Sequence, residues 1–370
     1  MKIIRTLWGV FILPIFLFAQ SVNIPTSHFG ISLGNSKNFT GIRINWSDHQ
    51  VEKITGLNFT LWRAHDNKTA VVKGISLGSM PEAGQMFGVQ AGLLGASAKN
   101  KIAGLNAGLL GIGAGNDVLG INLAGLGIGS GKSVAGFSLA GIGLASGGSV
   151  RGISFAGLGI GAGHSLSGLN IAGLAAGAGE NIKGITIAGI GAGCGKNIIG
   201  LTIAGLGLGA GESVTGISLA GFGVGAGKNI TGLQVALIGL GAGKHLHGIN
   251  IAGFGLGAGE EVAWLNLAGF AVGSKSIKGL TIAGFGAGAE KIKGVTVATG
   301  TIKIKNNGAY KGVAVSAFNN IKGDQTGLSL GIVNVAYRLH GVQIGLLNYV
   351  KENPVLFRFM PLITFNFSGN

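Results

Sequence analysis

The chain is poor in nearly everything that marks a catalytic or disulfide-stapled domain. Its 370 residues include one cysteine, five prolines, four tryptophans and three tyrosines. A lone cysteine excludes an intrachain disulfide, so Cys194 reads as a small packed residue where other units carry Ala162, Ala210 or Ala226. Acids are scarce too, 12 against 27 lysines and arginines, and the formal net charge is +15. Without Lys2 and Arg5 it is +13. Such a balance suits an anionic glycan, lipopolysaccharide or phosphate-bearing surface, or else keeps an apolar repeat soluble. Aromatic residues do not interleave with the bases, so nucleic acid is not an expected partner. Only nine acids lie between Gly74 and Asn370, too few for the acidic face of a carbohydrate-cleaving solenoid. The expectation is no enzyme, no catalytic residues, no metal and no cofactor.

Glycine is what the chain has in excess, 75 residues of 370. No Gly-X-Y triplet runs through it, which excludes collagen. Helix is excluded as well, since each glycine costs roughly 1 kcal/mol relative to alanine there. Between Gly88 and Trp264 a sixteen-residue unit repeats eleven times without insertion or deletion, as in Gly184–Ile199. The same Gly-apolar-polar-apolar opening recurs upstream at Gly30, Gly41, Gly56 and Gly74. Downstream it recurs at Gly279, Gly294, Gly312, Gly327 and Gly341, with spacings from 11 to 18 residues at the two ends. A fixed period of this kind marks a stacked architecture with atypical end units.

Counting each unit from its glycine as place 1, large apolar residues fall at places 2, 4, 7, 9 and 15, for example Ile217, Leu219, Phe222, Val224 and Ile230. A bend at Ala220-Gly221 would let all five point inward. Place 3, always Asn, Ser, Thr or Gln from Asn106 to Asn250, would then face outward, as would the turn at places 13 and 14. The expected fold is all-β: a glycine-rich β-solenoid of about twenty stacked units, mostly sixteen residues each. In such a stack Glu180, Lys196, Glu212 and Lys228 at place 13 would stand beside one another in favourable alternation. The alternative is an outer-membrane up-and-down β-barrel, which could form a pore. Sixteen residues also accommodate one spanning strand and a turn, and Phe357, Phe359, Ile363, Phe365 and Phe367 alternate as a terminal membrane strand would.

The organisation follows. Residues 1–19 read as a signal peptide: Lys2 and Arg5, an apolar run from Leu7 to Phe18, then Ala19-Gln20. Residues 20–87 are irregular N-terminal repeats or a cap, 88–263 the regular block, 264–350 irregular C-terminal repeats, and 351–370 a C-terminal strand or cap. Glycines at places 6, 8 and 10, such as Gly205, Gly207, Gly209, Gly221, Gly223 and Gly225, would form a strip of bare backbone. That strip is a candidate packing face for self-association or for another envelope component; the competing explanation is relief of crowding at tight bends.

Three other patterns carry little. Gly131-Lys132-Ser133 lacks the glycine a phosphate loop needs at Leu126. His245 and His247 could share one side of a strand as metal ligands, but no third ligand is evident, so a solvated turn is expected. Ice binding would need regular threonine rows, whereas Thr186 and Thr202 are interrupted by serine and asparagine.

Gly327-Leu-Ser-Leu-Gly-Ile-Val-Asn-Val-Ala and Gly341-Val-Gln-Ile-Gly-Leu-Leu-Asn-Tyr-Val resemble the units of bacterial surface repeat proteins first recognised in spirochaetes, Gly-apolar-x-apolar-Gly-apolar-x-Asn-apolar-Ala. Gly327, Leu328, Leu330, Gly331, Asn334 and Ala336 match, as do Gly341, Val342, Ile344, Gly345 and Asn348. In the central block Ala-Gly replaces the single glycine and the asparagine is lost. The resemblance implies an exported protein of the cell surface or outer membrane in a Gram-negative-type bacterium, with a structural, adhesive or interaction role. It brings no catalytic residues.

Overall fold

Glycine at every sixteenth residue leaves a backbone that can turn a corner wherever side chains would collide. The computed structural model describes residues 21–367. The signal-peptide assignment to 1–19 and the final Ser368-Gly369-Asn370 lie outside the described residues. The chain divides into two compact units, one up to residue 176 and one from 177 onward.

Each unit is a β-solenoid. In the first, Ser133–Ala140 pairs in parallel with Ser149–Ala156, Gly136 opposite Gly152, and every pair is offset by sixteen residues. In the second, Ser213–Ala220 pairs in the same way with Asn229–Ala236, Gly216 opposite Gly232. Four-residue strands form a second ladder, such as Gly207–Ala210 on Gly223–Ala226. The barrel alternative is overturned by this direction, because an up-and-down barrel needs antiparallel neighbours. Among the described residues, antiparallel pairing occurs only where Ser21–Pro25 meets Phe29–Gly34 and where Phe359–Asn366 lies along Val333–Val350.

One turn has three straight stretches and three bends. An eight-residue strand runs from place 14 to place 5 of the next unit, bending in its middle at the place-1 glycine; the chain bends again at places 6–7 and at 12–13, around the four-residue strand at places 8–11. The place-1 bend favours glycine strongly. Gly216 has φ +116°, and a Cβ there would stand 2.3 Å from the Gly200 carbonyl oxygen of the preceding rung. The irregular openings at Gly30, Gly41, Gly56, Gly74, Gly279, Gly294, Gly312, Gly327 and Gly341 all share this positive φ. At Trp264 a tryptophan occupies the same corner, with φ +88°.

The expected sorting of places into inside and outside is half wrong. Places 9 and 15 point inward as expected, for example Leu208 and Val214. Places 2, 4 and 7 do not: Ile217 is 43% exposed, Phe222 is 57% exposed, and Leu219 is half-buried. Place 3 is buried instead, with Asn122, Thr186, Gln234 and Asn250 at 0% exposure. The physical reason is parity. Side chains alternate along a strand, and because sixteen is even the alternation survives from rung to rung. Odd places 3, 5, 9, 11 and 15 therefore fill the interior, and even places 2, 4, 8, 10 and 16 line the exterior. Places 7 and 13 sit on bends and turn outward.

A thin interior shared by small residues explains how polar side chains live inside. Identical amides stack at rung spacing and bond along the ladder: Asn106 Nδ2 donates to Asn122 Oδ1 at 2.7 Å, and Asn250 Nδ2 to Asn266 Oδ1 at 2.9 Å. Asn319, Asn334 and Asn348 make another such ladder, at 2.7 and 2.8 Å. Hydroxyls at Thr186 and Thr202 are buried without a partner. Near the N-terminus of the first unit, place 3 is Arg43, fully buried and ion-paired with Asp48. Asn58 Nδ2 and Thr60 Oγ1 donate to the other carboxylate oxygen at 2.9 and 2.7 Å. Burial by itself would raise the Asp48 carboxyl; Arg43 and these hydrogen bonds outweigh it and hold the group below its ordinary value.

Candidate functional site

Parity hands each exterior stretch a distinct chemistry. Places 2 and 4 present two parallel rows of aliphatic side chains. In the second unit these begin Ile185 and Ile187, Leu201 and Ile203, Ile217 and Leu219, and end Val342 and Ile344. The first unit carries its own rows, with Ile121, Phe137 and Ile153 among the exposed place-2 residues. On the neighbouring bend, place 7 adds a third row. In the second unit it includes Ile190, Leu206, Phe222, Ile238, Phe254 and Phe270, all exposed. Phe254, Phe270 and Phe285 stack nearly parallel, with ring centroids 4.9 and 5.2 Å apart.

Beyond that bend the four-residue strands show bare backbone, and the six glycines of the expected packing strip fall into two kinds. Place-6 glycines relieve crowding at the bend: a Cβ on Gly205 or Gly221 would meet the preceding rung's carbonyl oxygen at 1.9 Å, and where place 6 is Leu237 its N–H donates to the Gly221 oxygen in place of the alanine oxygen that Gly221 N–H uses. At Gly207, Gly209 and Gly225 an added methyl would meet nothing within 4 Å, and at Gly223 it would stand 3.2 Å from the Gly239 oxygen. Crowding therefore accounts for places 6 and 12. It does not account for places 8 and 10.

In the regular block, charge is confined to places 12 to 16, the remaining third of the turn. At place 13, Lys196 lies 3.3 Å from Glu180 and Lys228 lies 3.1 Å from Glu212, the alternation expected of a stack. His245 and His247, whose rings are 5.3 Å apart, pair with Glu260 and Glu261 at 3.4 and 3.1 Å, and Lys278 joins Glu261 at 2.6 Å. Burial would raise the Glu261 carboxyl, but Lys278 and His247 hold it below its ordinary value. This is an ion-pair cluster, and among the described residues no group of three or more His, Cys, Asp or Glu side chains is placed to hold a metal ion. Place 16, bordering the aliphatic rows, carries Lys183, Lys278, Lys293 and Lys311 in the second unit and no acid.

Other singled-out residues find ordinary surroundings. Cys194 is half-buried at place 11, and burial pushes its thiol above the usual value. Gly131-Lys132 is a bend between two strands, with no helix following. Thr186 and Thr202 face inward, so they form no outer threonine row. A cavity of about 440 Å³ in the second unit is lined by Lys322, Lys351, Tyr337, Tyr349, Asn306 and Asn307 among others; Lys351 Nζ sits 4.8 Å above the Tyr337 ring. Its lining holds two ammonium groups and no carboxylate, a setting for an anion.

The outer aliphatic rows are the surface that sequence reasoning missed. The signal was uniformity. Place 5 is alanine from Ala124 to Ala268 and place 11 stays small, whereas place 7 varies freely among Leu, Ile and Phe. Inward places 5 and 11, beside the bends, hold their size constant, whereas the exterior bend at place 7 tolerates the change. No protein-family model, curated protein or solved structure matches the chain.

Proposed function

We propose that this is a non-enzymatic, exported repeat protein of the cell envelope or surface, whose work is done by its outer faces in a structural, adhesive or interaction role. One observation carries the proposal: the rows of Ile, Leu, Val and Phe at places 2, 4 and 7 lie outside, on both units, where a chain that acted alone in water would place polar residues. The resemblance of the Gly327 and Gly341 units to surface repeat proteins supports the same location, as does the apolar run from Leu7 to Phe18. Fractionation of the producing cell tests it. The chain is expected in the envelope fraction, and its exposed part should be cut by protease added to intact cells. Full-length chain recovered from the cytoplasm overturns the proposal.

The open space over Gly207, Gly209 and Gly225 favours a second contact of the same kind, lateral packing between copies or onto another envelope component. Gly207→Lys with Gly209→Lys should disrupt association while the β signal of the fold persists. Light scattering unchanged by the pair rejects this contact.

A further inference from the structure

The aliphatic band of the second unit is too large to be left facing water. Its eleven corners run from Gly184 to Gly341. At about 4.8 Å per rung the band is about 50 Å long, and from place 2 to place 7 it is about 16 Å across. That gives on the order of 800 Å², beyond the few hundred that soluble monomers leave contiguous.

Its borders say what covers it. Along one side runs place 16, where Lys183, Lys293 and Lys311 are exposed and Lys278 is exposed but paired with Glu261; the rungs between Lys183 and Lys278 carry Ile199, Thr215, Thr231, His247 and Ala263. Along the other run Phe222, Phe254, Phe270 and Phe285. Neither border holds an acid; Glu180, Glu212, Glu260, Glu261, Glu290 and Asp324 all stand at places 13 or 14, across the basic row from the band, and Glu352 lies in the turn after Val333–Val350, paired with Arg338. A second copy is therefore a poor cover. Face to face, a two-fold pairing sets the basic row against itself or against an uncharged bend, so no pairing brings a lysine to a carboxylate. An anionic head group complements that row, and acyl chains complement the band.

Trp264 supports the same occupant. It stands at the corner between place 16 and place 2, where the basic row meets the band, and it is 70% exposed. It holds that corner at φ +88°, a conformation every other rung gives to glycine. Exposed tryptophan on the line between apolar and charged surface belongs at a membrane–water interface.

We infer that the second unit lies on an anionic lipid bilayer, with its place-2, 4 and 7 side chains in the acyl boundary, its place-16 lysines on the head groups and Trp264 at the interface. This rests on the interaction role proposed above and names the partner.

The test uses the chain from Gln20 onward with Trp46→Phe and Trp62→Phe, which leaves Trp264 as its tryptophan. It is mixed with vesicles of phosphatidylglycerol and phosphatidylcholine, or of phosphatidylcholine alone. Flotation should be at least tenfold greater with the anionic vesicles, and Trp264 emission should move to the blue on binding. Ile217→Thr, Ile249→Thr and Leu280→Thr together should cut flotation at least tenfold with the far-ultraviolet circular dichroism unchanged. Lys183→Glu, Lys293→Glu and Lys311→Glu together should do the same. Equal flotation with both vesicle types overturns the inference. So does a stable dimer that binds no vesicle and already shows blue emission, since a second copy then covers the band. Envelope location without vesicle binding would sink the lipid partner and leave the proposed function standing.

Discussion

At the scale of single residues, glycine does two different jobs within each sixteen-residue turn. At place 1 it is the residue whose missing Cβ lets one rung sit on the next, and whose φ no L side chain enters cheaply. Gly216→Ala should cost at least about 2 kcal/mol, because it adds a Cβ 2.3 Å from a carbonyl oxygen at φ +116°. Gly209→Ala meets open space at an ordinary φ and should gain about 0.4–1 kcal/mol by restricting the unfolded chain. Denaturant midpoints of the two variants decide between these outcomes. Trp264→Gly restores the residue type its corner favours and should raise stability by about 1–2 kcal/mol, measured the same way.

The corner glycines were legible in the sequence down to the irregular units, because the motif beginning at Gly30 or Gly312 keeps its order when its spacing drifts. Side-chain direction was not. Hydropathy alone assigned Ile217 and Phe222 to the interior. The parity of an even repeat, reinforced by the constancy of alanine at place 5, puts them outside.

At the scale of the ladder, buried amides are worth what their partners make them. Asn334 accepts from Asn319 and donates to Asn348, so Asn334→Ala strands a donor on one side and an acceptor on the other, at a cost of about 2–3 kcal/mol by denaturation. The Thr202 hydroxyl is buried without a partner, and Thr202→Val should raise stability by about 1 kcal/mol in the same assay. The Arg43–Asp48 network adds a pH dependence to the first unit. Its carboxyl is held below the ordinary value, so its contribution is complete at neutral pH and is lost as pH falls below about 4, through the folded-state value. Denaturant midpoints taken from pH 7 to pH 3 should show that fall. Asp48→Asn should flatten it while costing about 3–5 kcal/mol at pH 7, because the Arg43 charge stays buried without its partner. No periodic signal announced this network: Asp48 comes from an irregular connection, and Arg43 occupies a place that elsewhere holds small polar residues.

At the scale of the whole molecule, the sequence carried the class of fold through its period, and the opposed charges at place 13 proved neighbours along the stack. The candidate surface was less legible, since apolar residues chosen for an exterior look the same in a string of letters as those chosen for a core. A direct consequence is that the folded chain should bind an apolar fluorescent dye in the absence of denaturant. Ile185→Thr, Ile217→Thr and Ile249→Thr should lower that fluorescence while each changes stability by no more than about 0.5 kcal/mol, since exposed positions contribute little packing.

The parity of the repeat also governs how such a gene can change. Slipped copying that adds or drops one sixteen-residue module gives every remaining corner an equivalent neighbour, so variants of many lengths fold by the same rule. One stray codon inside an eight-residue strand is another matter. It would turn the greasy outside inward and push the amide ladder into solvent from that point to the next bend, which is why departures from sixteen belong at the bends.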